Sequence, residues 1–378
     1  MPPAGGIFIC EESWCGMAAS TSLPYNPGMT QLDLLLPFGL PPQEMARDLL
    51  RELKTPALAM LLARANRTEN QVFDGFARAL PHEIWLAQQF GLRSPVGTDS
   101  SPALAASVMQ RFGMTAAAGT WFIVQPVHLH IARDHLVLTD PRQLRLSEQD
   151  AHDLFDIVKP LFEESGMTLS YGDAQTWFLR SDDWQTLLTS TPDAACGHNI
   201  DIWMPKGPPE RDWRRLQNEI QMHWHDHTVN DRREMAGLKP VNSVWLWGGA
   251  EAAMQASGQK FDATFTLPES DNPFSKLGSK NVTVNSVTDI MQTKPQHGLL
   301  VLDQLIASAM TSDWSEWLGI FQQLEANWIA PLLDAVKNGR LEQLSVTVSH
   351  NTALASYAVS KSSLRKFWLK PSLSRLSK

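Results

Sequence analysis

The sequence predicts an α/β protein with a doubly wound core sheet and an inserted α+β domain. Short apolar runs at residues 34–36, 243–247, 299–302 and 344–348 are bounded by proline, glycine or polar residues. Continuous apolar strands of this kind are typical of a parallel sheet whose two faces are both covered. Helical patterns alternate with these runs, for example at residues 314–337. Such alternation of strands and helices favours a doubly wound sheet.

The first part of the core is predicted from residues 29–124. Its first apolar run is closed by Pro37, as expected where a buried strand passes into a loop. Thr55-Pro56 then marks a helix start, because a capping hydroxyl precedes a proline at the first helical position. Residues 93–102 form a polar loop rich in Ser, Gly and Pro. Loops of this kind carry function more often than their share of residues.

The middle of the chain is predicted to be the inserted α+β domain, residues 125–240. It combines strand patterns that begin near residue 120, an amphipathic helix from Ser147, a short strand at 177–179 and a helix at 216–227. Residues 241–378 then complete the core. This division requires that residues 177–179 do not pair in the same sheet as residues 244–247. Residues 1–28 precede the patterned sequence and are expected to be a disordered extension or the product of a misplaced start codon.

Composition limits the function classes. Hydrophobic residues make up 43% of the 378 residues and charged residues 19%, as in ordinary globular proteins. No apolar run approaches the roughly 20 residues that span a bilayer, and the net charge of -8 opposes a nucleic-acid partner. The basic tail 361–378 is the one local exception, and we expect a solvated helix with Phe367 and Trp368 packed on the body. Cys10, Cys15 and Cys196 match no disulfide or zinc spacing, which favours a cytoplasmic location.

Three neighbouring motifs carry a family resemblance. Asn230-Asp231-Arg232-Arg233, residues 237–242 (GLKPVN) and residues 244–248 (VWLWG) follow one another. They resemble the N-x-x-R, G-L-x-P-x-N and I-W-L-W-G elements of the archaeal-type cofactor-independent phosphoglycerate mutases. Weaker matches in the same order cover most of the chain: Thr55-Pro56-Ala57-Leu58, Gly97-Thr98-Asp99 and Ser349-His350-Asn351-Thr352. The same pattern is similar to that of the RpfE-type regulatory proteins, a bacterial branch in which we place the chain.

The resemblance implies an alkaline-phosphatase-like core and a reaction that uses two divalent metals and a serine nucleophile. This chain departs from that pattern at the ligand positions. Pro37 stands where the family's first strand ends in a metal-binding Asp, and Ser349 replaces the carboxylate of the terminal Asp-His pair. Thr98 stands at the serine position, and no histidine occurs between Asp303 and Asp313. We therefore expect no metal cofactor.

The resemblance also nominates site residues. Thr98 and Asp99 are either the remnant of a phosphate-binding loop or an ordinary capped loop, and His350 is what remains of the terminal pair. The resemblance also implies that Asn230 and Arg233 contact a ligand. The guanidinium of Arg233 suits a carboxylate or phosphate. A structural ion pair is an equal alternative for Arg233. His223 and His227 share a helical face, but a solvated helix end explains them better than a metal site does.

Three functions remain open. The first is a catalytically degenerate mutase-like scaffold that acts as a regulatory or anionic-ligand-binding protein, with a phosphorylated small molecule or a protein as its partner. The second is an active metal-dependent phosphoglycerate mutase or phosphohydrolase with a rearranged site built from Asp99, Asp303 and His350. The third is a purely structural interaction module. We expect neither a nucleic acid nor a membrane as partner.

Overall fold

The computed structural model describes residues 29–97, 99–256, 260–270, 272–278 and 280–377. The strands are β1 Met29–Leu36, β2 Asn66–Val72, β3 Thr120–Val127, β4 Leu129–Ala132, β5 His135–Leu138, β6 Thr168–Asp173, β7 Thr176–Arg180, β8 Ser243–Glu251, β9 Ala263–Thr266, β10 Asn281–Thr283, β11 His297–Val301, β12 Leu341–Ser349 and β13 Ala353–Ser360. The first 28 residues, to which the extension was assigned, lie outside the described part.

Twelve α-helices connect the described strands. They are α1 Ala46–Glu52, α2 Pro56–Arg64, α3 Pro81–Gln89, α4 Ala105–Arg111, α5 Glu148–Glu164, α6 Pro192–Ala195, α7 Glu210–His225, α8 Thr228–Met235, α9 Val287–Thr293, α10 Leu305–Met310, α11 Trp314–Leu324 and α12 Ala330–Lys337. A π-helical segment, Glu325–Ile329, joins α11 to α12. No helix among the described residues is long and apolar enough to cross a membrane.

The larger sheet has seven strands in the order β10-β9-β11-β1-β12-β13-β2. Its first five strands pair in parallel, and β13 runs antiparallel between β12 and β2. Leu34, Leu35 and Leu36 of β1 are all fully buried. Because successive strand residues point to opposite faces, both faces of this sheet are covered. The predicted α/β core is therefore confirmed.

The smaller sheet corrects the predicted domain division. Its four strands are antiparallel in the order β6-β7-β3-β8, so residues 177–179 share a sheet with residues 244–247. The assignment of residues 243–247 to the parallel core was wrong, and so were the boundaries at 124/125 and 240/241. The residues of this run are buried on both faces of β8, and α7 and α4 both contact the strand. A continuous apolar strand shows that two faces are covered and does not show that its neighbours are parallel.

The two glycines after Trp247 have separate structural reasons. Gly248 has a positive φ of 73°, and the register between β3 and β8 shifts at this level. A glycine accommodates such a bulge without strain. A Cβ on Gly249 would lie 2.7 Å from Cε1 of Phe122. The glycine pair therefore lets β8 bend while it stays close to β3.

The tail differs from its prediction. Residues 361–377 contain two short 3-10 turns, Ser363–Arg365 and Ser374–Ser377, and no α-helix. Phe367 and Trp368 are 81% and 66% exposed, so the expectation that they pack on the body was wrong. Serine hydroxyls compete for local backbone groups here, as when the backbone N–H of Ser360 donates to Ser363 Oγ. Pro371 also opposes a continuous helix.

Substitution of Trp245 tests how β8 packs in the core. Its side chain is 1% exposed, and its indole N–H donates to the carbonyl of Ser190 at 2.8 Å. We expect Trp245→Ala to lower the free energy of unfolding by about 3 to 5 kcal/mol, because it leaves a large cavity. Urea denaturation measures this loss. Met222→Ala, at a side chain that is 78% exposed, is the control, and equal stability of the two variants would contradict the assigned packing.

Candidate functional site

A cleft of about 520 Å³ lies between the two sheets. Ser270 and Asp303, which follow β9 and β11, line it from the larger sheet. Ile123, Gln125 and Trp247 line it from the smaller sheet. The carboxyl ends of parallel strands are where open α/β sheets bind their ligands. We therefore take this cleft as the candidate functional site.

Glu83 lines the cleft from the first turn of α3. Its Oε2 accepts hydrogen bonds from the backbone N–H of Leu80 and from Oγ1 of Thr191, both at 2.7 Å. Burial, assisted by the nearby carboxylate of Asp193, raises the pKa of Glu83 to about 8. At neutral pH this side chain is therefore mainly a neutral acid that can also donate a hydrogen bond.

Arg142 lines the cleft, pairs with Asp193, and its charge acts on Glu83. Its Nε lies 2.8 Å from Oδ1 of Asp140, and its terminal nitrogens each lie 3.0 Å from an oxygen of Asp193. The two carboxylates raise the pKa of Arg142 above its usual value, although burial opposes them. The bidentate pairing fixes the guanidinium plane. Arg142 is therefore a charge-balanced structural element of the wall and has little charge left for a ligand.

Arg233 and Asn230 have structural roles. The guanidinium of Arg233 donates to the carbonyls of Lys239, Leu144 and Arg145, and the residue is 2% exposed. It thus fixes the turn that follows Arg142. The amide of Asn230 donates to the carbonyls of Trp224 and Val241 and accepts from the N–H of Val241. These contacts favour the structural alternative over the ligand contacts that the resemblance implied.

The edge formed by the ends of β1 and β12 is closed by uncharged groups. Phe38 has a φ of 56°, and its N–H donates to Oγ of Ser349 at 3.3 Å. Its carbonyl accepts from the indole N–H of Trp317 at 3.0 Å. Nδ1 of the fully buried His82 lies 3.5 Å from the same hydroxyl, and burial lowers the pKa of His82 to about 4. His82 is therefore neutral at pH 7.

These residues do not fit a pair of divalent metals. Hard cations such as Mg²⁺ bind mainly to carboxylate oxygens, but Pro37 has no donor atom and Ser349 offers a hydroxyl that already accepts a backbone hydrogen bond. Among the described residues, no group of three or more His, Cys, Asp or Glu side chains is placed to hold a metal ion. The side chains at this edge therefore do not supply the ligands that the two-metal reaction implied by the resemblance requires.

Of the nominated catalytic residues, the structure describes Asp99 and His350. Thr98 lies outside the described residues. Asp99 is exposed, and its charge acts on Arg78. His350 donates its backbone N–H to the carbonyl of Ala353, and its charged neighbour is Glu44.

Asp303 accepts hydrogen bonds from the hydroxyls of Ser270 and Ser275, and burial raises its pKa. In the described part of the chain, no hydrogen bond or ion pair joins Asp99, Asp303 and His350.

The cleft also contains polar groups to which the sequence assigned no ligand role. Arg111 and Lys276 line it, and neither forms an ion pair with a described residue. Nε1 of Trp247 and Oε1 of Gln304 are buried in the wall without a hydrogen-bond partner among the described residues. Trp247 is 3% exposed. The sequence signal for these residues was weak, because they come from separate segments that only the fold brings together.

The remaining nominated histidines lie at helix ends. α7 ends at His225, just after His223. Nδ1 of His227 accepts from the N–H of Val229 at the start of α8. The solvated helix end that we preferred over a metal site is consistent with these positions.

The fold and the edge residues together define an α/β scaffold with a mostly parallel sheet and an uncharged edge at the ends of β1 and β12. In sequence, the chain is similar to a probable 2,3-bisphosphoglycerate-independent phosphoglycerate mutase of Geobacter sulfurreducens, with 26% identity over 231 residues. The match covers 58% of this chain and 57% of that relative, so the chain spans little more than half of the length of the curated relative it matches. No family model matches.

Two solved structures are similar in fold. The PH0037 protein of Pyrococcus horikoshii matches with a TM-score of 0.51 and 12% identity over 88% of each chain. A cofactor-independent phosphoglycerate mutase of Thermoplasma acidophilum matches with a TM-score of 0.46 and 12% identity, over 93% of this chain and 95% of that one. The resemblance to the cofactor-independent phosphoglycerate mutases that the motifs indicated is confirmed. The RpfE-type branch stays a prediction.

The raised pKa of Glu83 predicts a pH-dependent stability. Its folded-state value of about 8 lies above the ordinary 4.5, so its contribution is complete below about pH 4.5 and is lost as the pH rises through 8. His82, with a pKa of about 4, changes charge below this range. Between pH 6.5 and 8.5 we expect the unfolding free energy to fall, and to fall less in Glu83→Gln.

Urea midpoints at four pH values across this range measure the effect. Glu342→Gln, at an exposed carboxylate, is the matched control and should follow the unmodified protein. Parallel curves for Glu83→Gln and the unmodified protein would show that Glu83 is not a neutral acid in the fold.

Proposed function

We propose that this protein is a catalytically degenerate phosphoglycerate-mutase-like scaffold that binds a phosphorylated small molecule and acts as a regulatory protein of the cytoplasm. The observation that carries the proposal is the closed edge at β1 and β12. Pro37 and Ser349 stand where the resemblance implies metal-binding carboxylates, and the backbone of Phe38 and the neutral ring of His82 lie beside the Ser349 hydroxyl. A phosphoryl group held there would find no bound cation to neutralise its developing charge.

The cleft nevertheless has the groups that a phosphorylated ligand requires. Arg111 and Lys276 supply positive charge, and neither forms a salt bridge with a described carboxylate as Arg142 does, although the charge of Asp173 acts on Arg111. The indole N–H of Trp247 and the amide oxygen of Gln304 supply one donor and one acceptor inside the wall. Buried polar atoms are normally hydrogen-bonded. A ligand that reaches both atoms would satisfy them.

The acidic groups of the cleft indicate which class of phosphorylated ligand fits it. Glu148, Asp173 and Glu269 also line it. Carboxylates repel a polyanion but accept hydrogen bonds from hydroxyl groups. A small ligand with one phosphate and several hydroxyls therefore suits the cleft better than a bisphosphate or a polyphosphate does. The phosphate would lie beside Arg111 and Lys276.

Catalytic degeneracy is tested by a mutase assay. We expect interconversion of 3-phosphoglycerate and 2-phosphoglycerate, with manganese or cobalt added, to stay at background. Loss of one electrostatic stabiliser commonly lowers a rate by a factor of about 100 to 1000, and several are changed here. An active cofactor-independent mutase in the same assay is the control. Robust turnover that is abolished by Thr98→Ala would favour the alternative of an active enzyme with a rearranged site.

Ligand binding is tested separately by calorimetry. We expect glycerol 3-phosphate to bind, and glycerol to bind much more weakly. The double variant Arg111→Gln/Lys276→Gln should weaken binding at least about tenfold, because it removes two charge-assisted contacts. Arg211→Gln/Lys337→Gln makes the same charge change outside the cleft lining and is the control. Equal affinities for both double variants would contradict the assigned phosphate position.

A further inference from the structure

Residues 361–377 form a surface segment outside the cleft that carries basic side chains and exposed aromatic rings. Residues 361–378 contain six Lys or Arg and no Asp or Glu, although the whole chain has 40 acidic against 32 basic residues. Phe367, Trp368 and Leu369 in this segment are 81%, 66% and 36% exposed. We call residues 365–370, Arg-Lys-Phe-Trp-Leu-Lys, the aromatic-basic loop. An exposed apolar group inside a strongly basic segment commonly marks an interaction site.

The aromatic-basic loop is fixed to the protein on both sides. Before it, Leu364 is buried and its carbonyl accepts from Arg64 at 2.8 Å. After it, the N–H of Ser372 donates to the carbonyl of Ala59, and the guanidinium of Arg375 donates to that of Ala65 at 2.9 Å. The attached residues belong to α2 or follow it directly. The loop therefore projects from an anchored base and holds its aromatic tip away from the core.

The cations of the loop are available to a partner. Arg365 and Lys370 are exposed on either side of the aromatic pair, and neither forms an ion pair with any residue that the structure describes. Lys366 extends toward Asn66 and donates to its side-chain oxygen at 3.1 Å. The tip thus presents two rings and a leucine with free positive charge on each side.

We propose that the aromatic-basic loop docks on the surface of a membrane that contains anionic lipid. Tryptophan rings are favoured at the headgroup level of a bilayer, and nearby Lys and Arg are attracted to anionic headgroups. The contact is peripheral, with the rings in the interface and the body of the protein outside it. It departs from the expectation of no membrane partner and does not depend on the proposed ligand of the cleft.

The geometry of the rings favours a lipid surface over a nucleic acid. Phe367 and Trp368 meet edge to face, with ring centroids 5.4 Å apart and an angle of 79°. Single-stranded nucleic acids need open ring faces on which successive bases stack and a basic groove that follows the backbone. Here the pair forms one compact apolar tip, and the chain as a whole is acidic. A lipid surface would contact only the tip. The net negative charge of the rest of the protein would therefore repel an anionic lipid surface less than it repels a nucleic acid.

The size of the tip also disfavours a protein partner. A stable protein interface involves about 20 to 30 residues on each side. The loop offers three apolar side chains at the end of a projection. Partial insertion into headgroups needs no complementary surface of that size, because lipids rearrange around the inserted rings.

The proposal is tested by flotation of the full chain with large vesicles. We expect binding to phosphatidylcholine vesicles that contain roughly 30 mol % phosphatidylserine, little binding to pure phosphatidylcholine, and weaker binding at higher salt. Phe367→Ser/Trp368→Ser should abolish flotation. Arg365→Gln/Lys370→Gln should weaken binding by about fivefold for each cation removed.

Two matched controls separate the loop from general surface effects. Met222→Ser/Met235→Ser removes two other exposed apolar side chains, 78% and 81% exposed, and Arg211→Gln/Arg214→Gln removes two exposed cations of α7. Both should float like the unmodified protein, and thermal melting verifies that every variant is folded. No flotation with anionic vesicles, equal flotation of the loop variants and controls, or complete displacement by a single-stranded oligonucleotide would each overturn the proposal.

Discussion

The antiparallel pairing of β3 with β8 is the contact on which the rest of the structure depends. It joins residues 120–127, which precede the middle of the chain, to residues 243–251, which follow it. The segment between them is thereby closed into a loop whose own strands, β6 and β7, extend the same sheet. The pairing also places Ile123, Gln125 and Trp247 in one wall of the cleft. Without it, the cleft would have no wall opposite the larger sheet.

The edge at the ends of β1 and β12 carries little charge. Buried carboxylates are costly unless a cation balances them. Near the ends of β1 and β12 the charge is low, because Ser349 carries a hydroxyl, His82 is neutral and Glu83 is protonated at pH 7. The backbone of Phe38 has a left-handed conformation there. A bulky residue adopts this conformation only where its surroundings hold it.

The sequence predicted the parallel core well, because its signal is local. Residues 34–36, 299–302 and 344–348 lie in β1, β11 and β12 or directly after β11. Residues 243–247 were misplaced because burial on two faces does not specify strand direction. Phe367 and Trp368 were misplaced because hydrophobicity predicts burial only on average.

The candidate site was harder to predict, because distant segments build it. Arg142 is fixed by Asp193, and its turn is held by Arg233, which lies 88 or more positions further along the chain. No local spacing indicates such a constellation. The motif around Arg233 carries the family resemblance, and in the structure Arg233 holds the turn beside the cleft wall.

A continuous set of contacts connects the aromatic-basic loop to the closed edge. The loop is anchored on α2, and the first N–H groups of α2 donate to the buried carboxylate of Glu325. Glu325 follows α11, whose Trp317 donates to the carbonyl of Phe38. Coupling between two sites requires an element with two arrangements that both sites bias. The contacts here belong to one packed arrangement, so they supply no physical basis for coupling between the loop and the closed edge.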